Sequence, residues 1–151
     1  PVYVRVTAPL YWWKEFDTYK VGTVANSCST MHKIHSKRFT IDDFSGEHLT
    51  HTDIEHMSPD EDAMDALQVV INALNYNREK YLETKDKKYW WQIIQLLPSS
   101  YNQTRNVMLN YEVLANIYKA RRNHKLDEWR KFCDWIETLP YSSLITGKET
   151  K

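Results

Sequence analysis

The sequence of 151 residues contains only two cysteines, three glycines and five prolines. Cys28 and Cys133 lie far apart in the sequence and do not imply a disulfide framework, so reduced thiols are the simpler interpretation. No apolar segment reaches the roughly 20 residues that a membrane span needs, and the amino terminus lacks a signal-peptide pattern. The sequence therefore predicts a cytoplasmic protein without a membrane partner.

Neither sign of charge is in excess, because twenty basic residues balance twenty acidic residues. Such a chain has no general basic field to hold a nucleic-acid backbone, which argues against a long nucleic acid as partner. A hydrophobic fraction of 42% can bury one core, and we predict a single domain over residues 1–151. The first residue is a proline inside a strand pattern, so we expect an amino-terminal portion to be missing.

Hydrophobic periodicity divides the chain into strand, loop and helix. Residues 2–7 alternate as a half-buried strand does, and Pro9 argues against its continuation as a central strand. Residues 33–57 show no period, which predicts a long His- and Asp-rich loop with a short strand at 38–41.

Helices are predicted over residues 10–20 and 88–97, and from Asp127 to before Pro140, where the apolar side chains expected to be buried are Trp129, Phe132, Cys133 and Ile136. Another helix is predicted from the capping box Ser58-Pro59-Asp60-Glu61, with apolar residues at three- and four-residue steps: Met64, Leu67, Ile71, Leu74 and Tyr81. A further helix is predicted from the box Ser100-x-x-Gln103 to Arg121, with an apolar stripe at Val107, Tyr111, Leu114 and Tyr118. The fold class is therefore α/β (α+β), with a small antiparallel or mixed sheet packed with several helices.

A dense group of polar side chains lies in the segment from Val6 to Met31. Its members are Glu15, Thr18, Tyr19, Lys20, Thr23, Asn26, Ser27, Cys28, Ser29 and Thr30. This mixture of donors and acceptors is typical of a pocket for a small polar ligand, and it contains no obvious pair of nucleophile and base. The alternative is a polar helix end and a turn whose side chains cap backbone groups.

The same segment resembles the flavin-dependent thymidylate synthases, in a divergent, phage-type form. In that family a strand leads to an Ala-Pro pair and then to a helix with a glutamine and an Arg-His-Arg triplet. A serine follows after seven residues, and an arginine two further on. Here Ala8-Pro9 is followed by Glu15 at the glutamine, residues 18–20 at the triplet, Cys28 at the serine and Thr30 at the arginine.

A second family signature is a Leu-Pro pair before a helix that carries two asparagines and two arginines. Asn110, Asn116 and Arg121 follow Leu97-Pro98 at the family spacings, with Glu112 in place of the first arginine. The resemblance implies FAD as cofactor and a homotetramer. The resemblance also implies cofactor contacts from Thr18, Tyr19, Lys20, Asn110 and Asn116, and substrate contacts from Glu15, Asn26, Ser27, Cys28, Ser29, Thr30 and the catalytic Arg121.

Three family arginines are replaced, by Thr18, Thr30 and Glu112. A charge-assisted contact contributes about 1.5–3 kcal/mol, so these losses argue against ordinary thymidylate synthesis, the transfer of a methylene group from folate to dUMP. The leading interpretation is a nucleotide- or flavin-binding protein of this fold. The alternatives are a non-catalytic phage-type protein that sequesters a nucleotide or nucleotide signal, and a protein-interaction module with a vestigial pocket.

Five of the six histidines lie between residues 32 and 56, together with several acidic residues. Two His-x-x-His pairs, at 32/35 and 48/51, have spacings that zinc ligands use. The segment lacks regular structure and offers no cysteine ligand beside these pairs, so we expect a hydrated loop and no metal. The pairs Trp12-Trp13 and Trp90-Trp91 could stack on flat ligands, but we favour their interpretation as core or interface packing residues.

Overall fold

The computed structural model describes residues 1–19, 33–51 and 58–148, and the backbone of residues 24–27. Its contacts divide the chain into two compact units, residues 1–28 with 103–151, and residues 29–102. In chain order the elements are β1 (Val2–Pro9), α1 (Leu10–Phe16), β2 (Val24–Ser27), α2 (Ala63–Thr84), α3 (Lys87–Leu96), β3 (Asn102–Leu109), α4 (Tyr111–Arg121), α5 (Asp127–Glu137) and α6 (Ser143–Thr146). None of the described helices combines the length and apolar character needed to cross a lipid bilayer.

The first unit contains a three-stranded sheet in the order β1-β3-β2. Strands β2 and β3 are antiparallel, with Val24 opposite Met108 and Ser27 opposite Arg105. In β1, alternate residues from Val2 to Val6 are partly buried against the core, as the sequence predicts. Pro9 ends β1, which is an edge strand of the described sheet, so a missing backbone N–H interrupts no central ladder. The sheet and its helices confirm the predicted α/β class.

The predicted helix from Ser100 to Arg121 is wrong in its first half. Residues 102–109 form β3, in which the buried Gln103, Val107 and Leu109 point to the core. Helix α4 begins only at Tyr111, because the side chain of Asn110 accepts the backbone N–H of Val113 at 2.8 Å and caps the helix there. The box at Ser100 therefore precedes a strand, and Val107 belongs to the sheet.

The core of the first unit is built from aromatic side chains. The ring centroid of Trp12 lies 4.5 Å from that of Trp129, 5.2 Å from that of Phe16 and 5.5 Å from that of Phe132. Aromatic pairs contribute about 0.5–1.5 kcal/mol each beyond the burial of their area. This packing confirms the core interpretation of Trp12-Trp13 and joins α1 to α5.

Cys133 on α5 is fully buried in this core. Burial raises the pKa of the Cys133 thiol to about 11, because a thiolate is poorly solvated among apolar side chains. At neutral pH the residue therefore stays a protonated thiol and acts as a small packing group.

The second unit contains α2 and α3, and most of their lengths agree with the sequence prediction. Helix α2 is capped by Asp62, whose carboxylate accepts the backbone N–H of Asp65 at 3.0 Å, whereas the predicted cap Ser58 makes no such bond and Pro59–Glu61 form a separate 3-10 turn. Leu67, Ile71 and Leu74 are buried as predicted.

The described part of the predicted long loop, residues 33–51, contains no strand, so the short strand expected at 38–41 is wrong. Thr40 instead begins a 3-10 turn over Ile41–Asp43. The backbone of Phe39 is held by the side chain of Asn75 on α2, which accepts its N–H at 2.8 Å and donates to its C=O at 2.9 Å. Both groups are buried, so a side-chain amide replaces the strand partner that this backbone lacks.

The two hydrogen bonds between the Asn75 side chain and the Phe39 backbone form a tether between α2 and the preceding segment. Substitution of Asn75 tests how much this tether contributes to stability, apart from the general effect of an alanine in α2. Asn75→Ala leaves the N–H and C=O of Phe39 buried without partners, so we expect the free energy of unfolding to fall by about 2–4 kcal/mol. Asn72→Ala, at an exposed position of the same helix, should change it by about 0.5 kcal/mol or less. Urea denaturation followed by circular dichroism measures both, and equal losses would contradict the tether.

Candidate functional site

Five side chains of the first unit meet at one place, which we call the Glu15 cluster: Glu15, Tyr19, Arg121, His124 and Trp129. They come from α1, the 3-10 turn after it, the end of α4, the following connection and the first turns of α5. Arg121 occupies the last turn of α4, where the helix dipole favours a cation. The Trp12 and Trp129 rings fix α1 against α5 and thereby bring the five side chains together.

The carboxylate of Glu15 is the centre of the cluster. Its Oε2 atom accepts hydrogen bonds from Arg121 Nη1 at 3.0 Å and from the indole Nε1 of Trp129 at 2.7 Å. Nε2 of His124 lies 3.5 Å from the same oxygen. Because Nδ1 of His124 accepts the backbone N–H of Leu126 at 3.1 Å, the ring hydrogen of a neutral His124 is on Nε2 and faces Glu15.

The guanidinium of Arg121 is held on two sides. Its Nε donates to the hydroxyl of Tyr19 at 2.9 Å, and its Cζ lies 4.8 Å from the centre of the Trp129 ring. The ion pair with Glu15 is only partly exposed, with 19% of the Arg121 side chain and 34% of the Glu15 side chain accessible. Within the part of the chain that the structure describes, Nη2 of Arg121 makes no hydrogen bond. The cluster thus presents a fixed, charge-compensated guanidinium that still has donors for a ligand.

The structure brings together three of the predicted site residues, Glu15, Tyr19 and Arg121. Thr18 is exposed, and its hydroxyl donates to the backbone C=O of Glu15 at 2.7 Å, which is the capping role of the alternative interpretation. Asn110 caps α4 and Asn116 lies on the exposed face of that helix. Asn110 and Arg121 lie at opposite ends of α4, about 16 Å apart along its axis, so they do not contact the same group of a small ligand.

The remaining predicted residues cannot be placed in the same way. Asn26 and Ser27 belong to β2, where their backbones lie opposite Asn106 and Arg105, and their side chains are outside the description. Lys20, Cys28, Ser29 and Thr30 lie outside the described residues. Their roles as ligand contacts stay predictions.

Sequence reasoning missed two members of the Glu15 cluster, His124 and Trp129. Trp129 is predicted to be a core residue, and its ring is fully buried there. A buried indole N–H usually has a hydrogen-bond acceptor, and this is the signal that could have associated Trp129 with a polar group. His124 is the one histidine outside the His-rich segment, and no spacing relates it to Glu15. Its role depends on the turn between α4 and α5.

One group of possible metal ligands is found among the described residues. Single ligand atoms of His51, Asp62 and Asp65 lie within 4.8 Å of one another. Asp62 is the cap of α2, and His51 Nδ1 lies 3.3 Å from its carboxylate. These contacts describe a capped helix end with a histidine beside it, and we assign no metal to the group.

No model of a known protein family matches the sequence, and no curated protein sequence is significantly similar to it. The fold is nevertheless that of the flavin-dependent thymidylate synthases. The crystal structure of ThyX from Helicobacter pylori, complexed with FAD and dUMP, aligns with a TM-score of 0.61 and 14% identity over 95% of this chain and 70% of that one. A second crystal structure of the same enzyme, with FAD and dUMP, gives 0.60 and 15% at the same coverage. These likenesses confirm the predicted fold, and the phage-type origin stays a prediction.

Removal of the Glu15 carboxylate should loosen the whole cluster. In Glu15→Ala the buried indole N–H of Trp129 loses its acceptor and Arg121 loses its counter-charge, so we expect the free energy of unfolding to fall by about 2–3 kcal/mol. Glu15→Gln keeps an acceptor oxygen and should lose about 1 kcal/mol or less. Urea denaturation followed by tryptophan fluorescence measures both. A Glu15→Ala protein as stable as the unmodified chain would show that this carboxylate does not organise the cluster.

Proposed function

We propose that the chain binds a pyrimidine nucleotide or a flavin-like ligand at the Glu15 cluster. The observation that carries the proposal is Arg121, whose guanidinium is fixed by Glu15, Tyr19 and Trp129 while its Nη2 atom makes no hydrogen bond with any residue that the structure describes. The similar fold of ThyX, which was crystallised with FAD and dUMP, supports this choice of ligand. A planar guanidinium suits the carbonyl oxygens of a uracil or isoalloxazine ring, because it offers parallel donors in a fixed geometry.

The chemistry of the cluster favours binding over thymidylate synthesis. Glu15 compensates the charge of Arg121, and Thr18 is a capping residue at a position where the family has an arginine. Glu112 adds a negative charge to the first turn of α4. FAD, if bound, would supply the redox and methylene-carrying chemistry of the family, and this chain's part would be to orient the pyrimidine through Arg121. We therefore propose that the chain binds a flavin-like ligand or a pyrimidine nucleotide without synthesising thymidylate. The second candidate function is the sequestration of a nucleotide, which is not converted.

Two neighbouring arginines provide a matched test of the ligand site. Arg122 is paired with Asp134 at 2.6 Å and lies outside the Glu15 cluster. In calorimetric titrations with dUMP and with FAD, Arg121→Ala should weaken binding at least about tenfold, which corresponds to about 1.4 kcal/mol. Arg122→Ala should stay within about twofold. Equal affinities in both variants, or no binding of either ligand by the unmodified chain, would contradict the proposal.

The two candidate activities differ in the state of the bound ligand. A flavin-binding protein purifies with visible flavin absorption, whereas a protein that sequesters a nucleotide is colourless and releases that nucleotide unchanged on denaturation. Absorption spectra before and after addition of FAD, followed by mass spectrometry of the released molecules, distinguish these cases. A protein that contains and takes up neither ligand would direct attention to the interaction-module alternative.

We also propose that the ligand site is completed between copies of the chain in a homotetramer, as the family resemblance implies. Light scattering of the purified protein should then give four times the chain mass of 18.1 kDa. A concentration-independent monomer would contradict this assembly.

A further inference from the structure

A separate cleft lies in the second unit, where the end of α2 meets the beginning of α3. It measures about 360 Å³ and is lined by Tyr81, Lys87, Trp90 and Trp91. Clefts that bind small molecules usually measure about 300–1,000 Å³ and combine aromatic walls with a few polar groups. None of the four lining residues belongs to the Glu15 cluster.

The walls of this α2–α3 cleft are fixed by a tight connection between the helices. Lys85 ends α2 in a left-handed backbone conformation, with a φ of 57°, and Asp86 caps α3 by accepting the backbone N–H of Lys88 at 3.0 Å. Trp90 packs against the core of the second unit, which includes the fully buried Ile93. The cleft is therefore a property of two helices joined by two residues and does not depend on a long loop.

The aromatic side of the cleft includes a tryptophan that the second unit leaves half exposed. Trp91 as a whole residue is 49% exposed, and the centroid of its ring lies 5.1 Å from that of Trp90 at an interplanar angle of 74°. A tryptophan offers a large flat apolar surface, and covering that surface with a planar ring removes it from water. Trp91 can therefore stack on a ligand while Trp90 supplies a second wall.

The polar side of the cleft is cationic. Lys87 and Lys88 stand in the first turn of α3, where no acidic residue is present, although the helix dipole disfavours positive charge at this end. Lys88 lies 3.8 Å from the carboxylate of Asp86, whereas Lys87 has no ion-pair partner among the described residues. Placement of charge against a local preference is typical of functional positions. This end of α3 is already capped by Asp86, so the group that an anion at the cleft would pair with is Lys87.

We propose that the α2–α3 cleft binds a planar aromatic ring that carries an anionic group, the chemistry of a nucleoside monophosphate. The ring stacks on Trp91 and the anionic group pairs with Lys87. A neutral apolar ligand would cover Lys87 without giving it a partner, and a cationic ligand would be repelled by it. This site is independent of ligand binding at Arg121.

Titration calorimetry with AMP tests the proposal. Adenosine and inorganic phosphate, which are the two parts of AMP, are titrated separately for comparison. In an Arg121→Ala background, which removes the other candidate site, AMP should bind at least about tenfold more tightly than either part. In the same Arg121→Ala background, a second substitution, either Lys87→Ala or Trp91→Ala, should weaken AMP binding about tenfold or more. Lys88→Ala removes the same charge one residue away, outside the lining, and should have less than about a twofold effect.

A second measurement on the unmodified chain covers the case in which the Arg121 variant does not fold. In a ¹H–¹⁵N spectrum, AMP should shift the indole N–H signals of Trp90 and Trp91, identified by substitution, more than those of Trp12 and Trp13, which are buried and do not belong to the Glu15 cluster. Unchanged Trp91 signals at millimolar AMP would overturn the proposal. Equal binding by the Lys87 and Lys88 variants would overturn it as well.

Discussion

A single carboxylate links the packing of the first unit to its candidate chemistry. Glu15 Oε2 receives the guanidinium of Arg121 and the indole N–H of Trp129, so the end of α4 and the start of α5 are both fastened to α1. Trp129 takes part in both roles, since its ring lies in the aromatic core while its N–H reaches the cluster. A carboxylate in such a position satisfies a buried donor and balances a half-buried charge at the same time. The geometry of Arg121 is thereby set by the core and needs no ligand to form it.

Charge balance also distinguishes this site from a general anion-binding site. Because Glu15 compensates Arg121, the attraction of the cluster for a distant phosphate is weak, and recognition at the proposed site would depend on hydrogen bonds formed at contact. At the site that we propose, the Arg121 donors without a partner among the described residues, together with the aromatic rings beside them, would suit a flat ligand edge with carbonyl oxygens. The fold is shared with an enzyme that was crystallised with FAD and dUMP, but a fold can host different chemistry, and the side chains decide what this chain does.

Elements whose burial follows one regular period were predictable from the sequence. The strand at β1, the long helix α2 and the last predicted helix α5 each show such a pattern and fall close to their predicted positions. Residues 102–109 were mistaken for helix because Val107 is spaced four residues from Tyr111, although Asn110 between them ends one element and caps the next. Family motifs in the sequence predict three members of the Glu15 cluster: Glu15, Tyr19 and Arg121. His124 and Trp129 join the cluster through tertiary packing, which no local residue spacing encodes.

The junction between β1 and α1 contains no connecting residue, since Pro9 ends the strand and Leu10 begins the helix. The direction in which Glu15 points is therefore fixed by the number of residues that separate it from the end of β1. Insertion of one residue between them would turn the carboxylate by about 100° around the helix axis and carry it away from Arg121. Over this segment the chain can exchange side chains, but it cannot change its length.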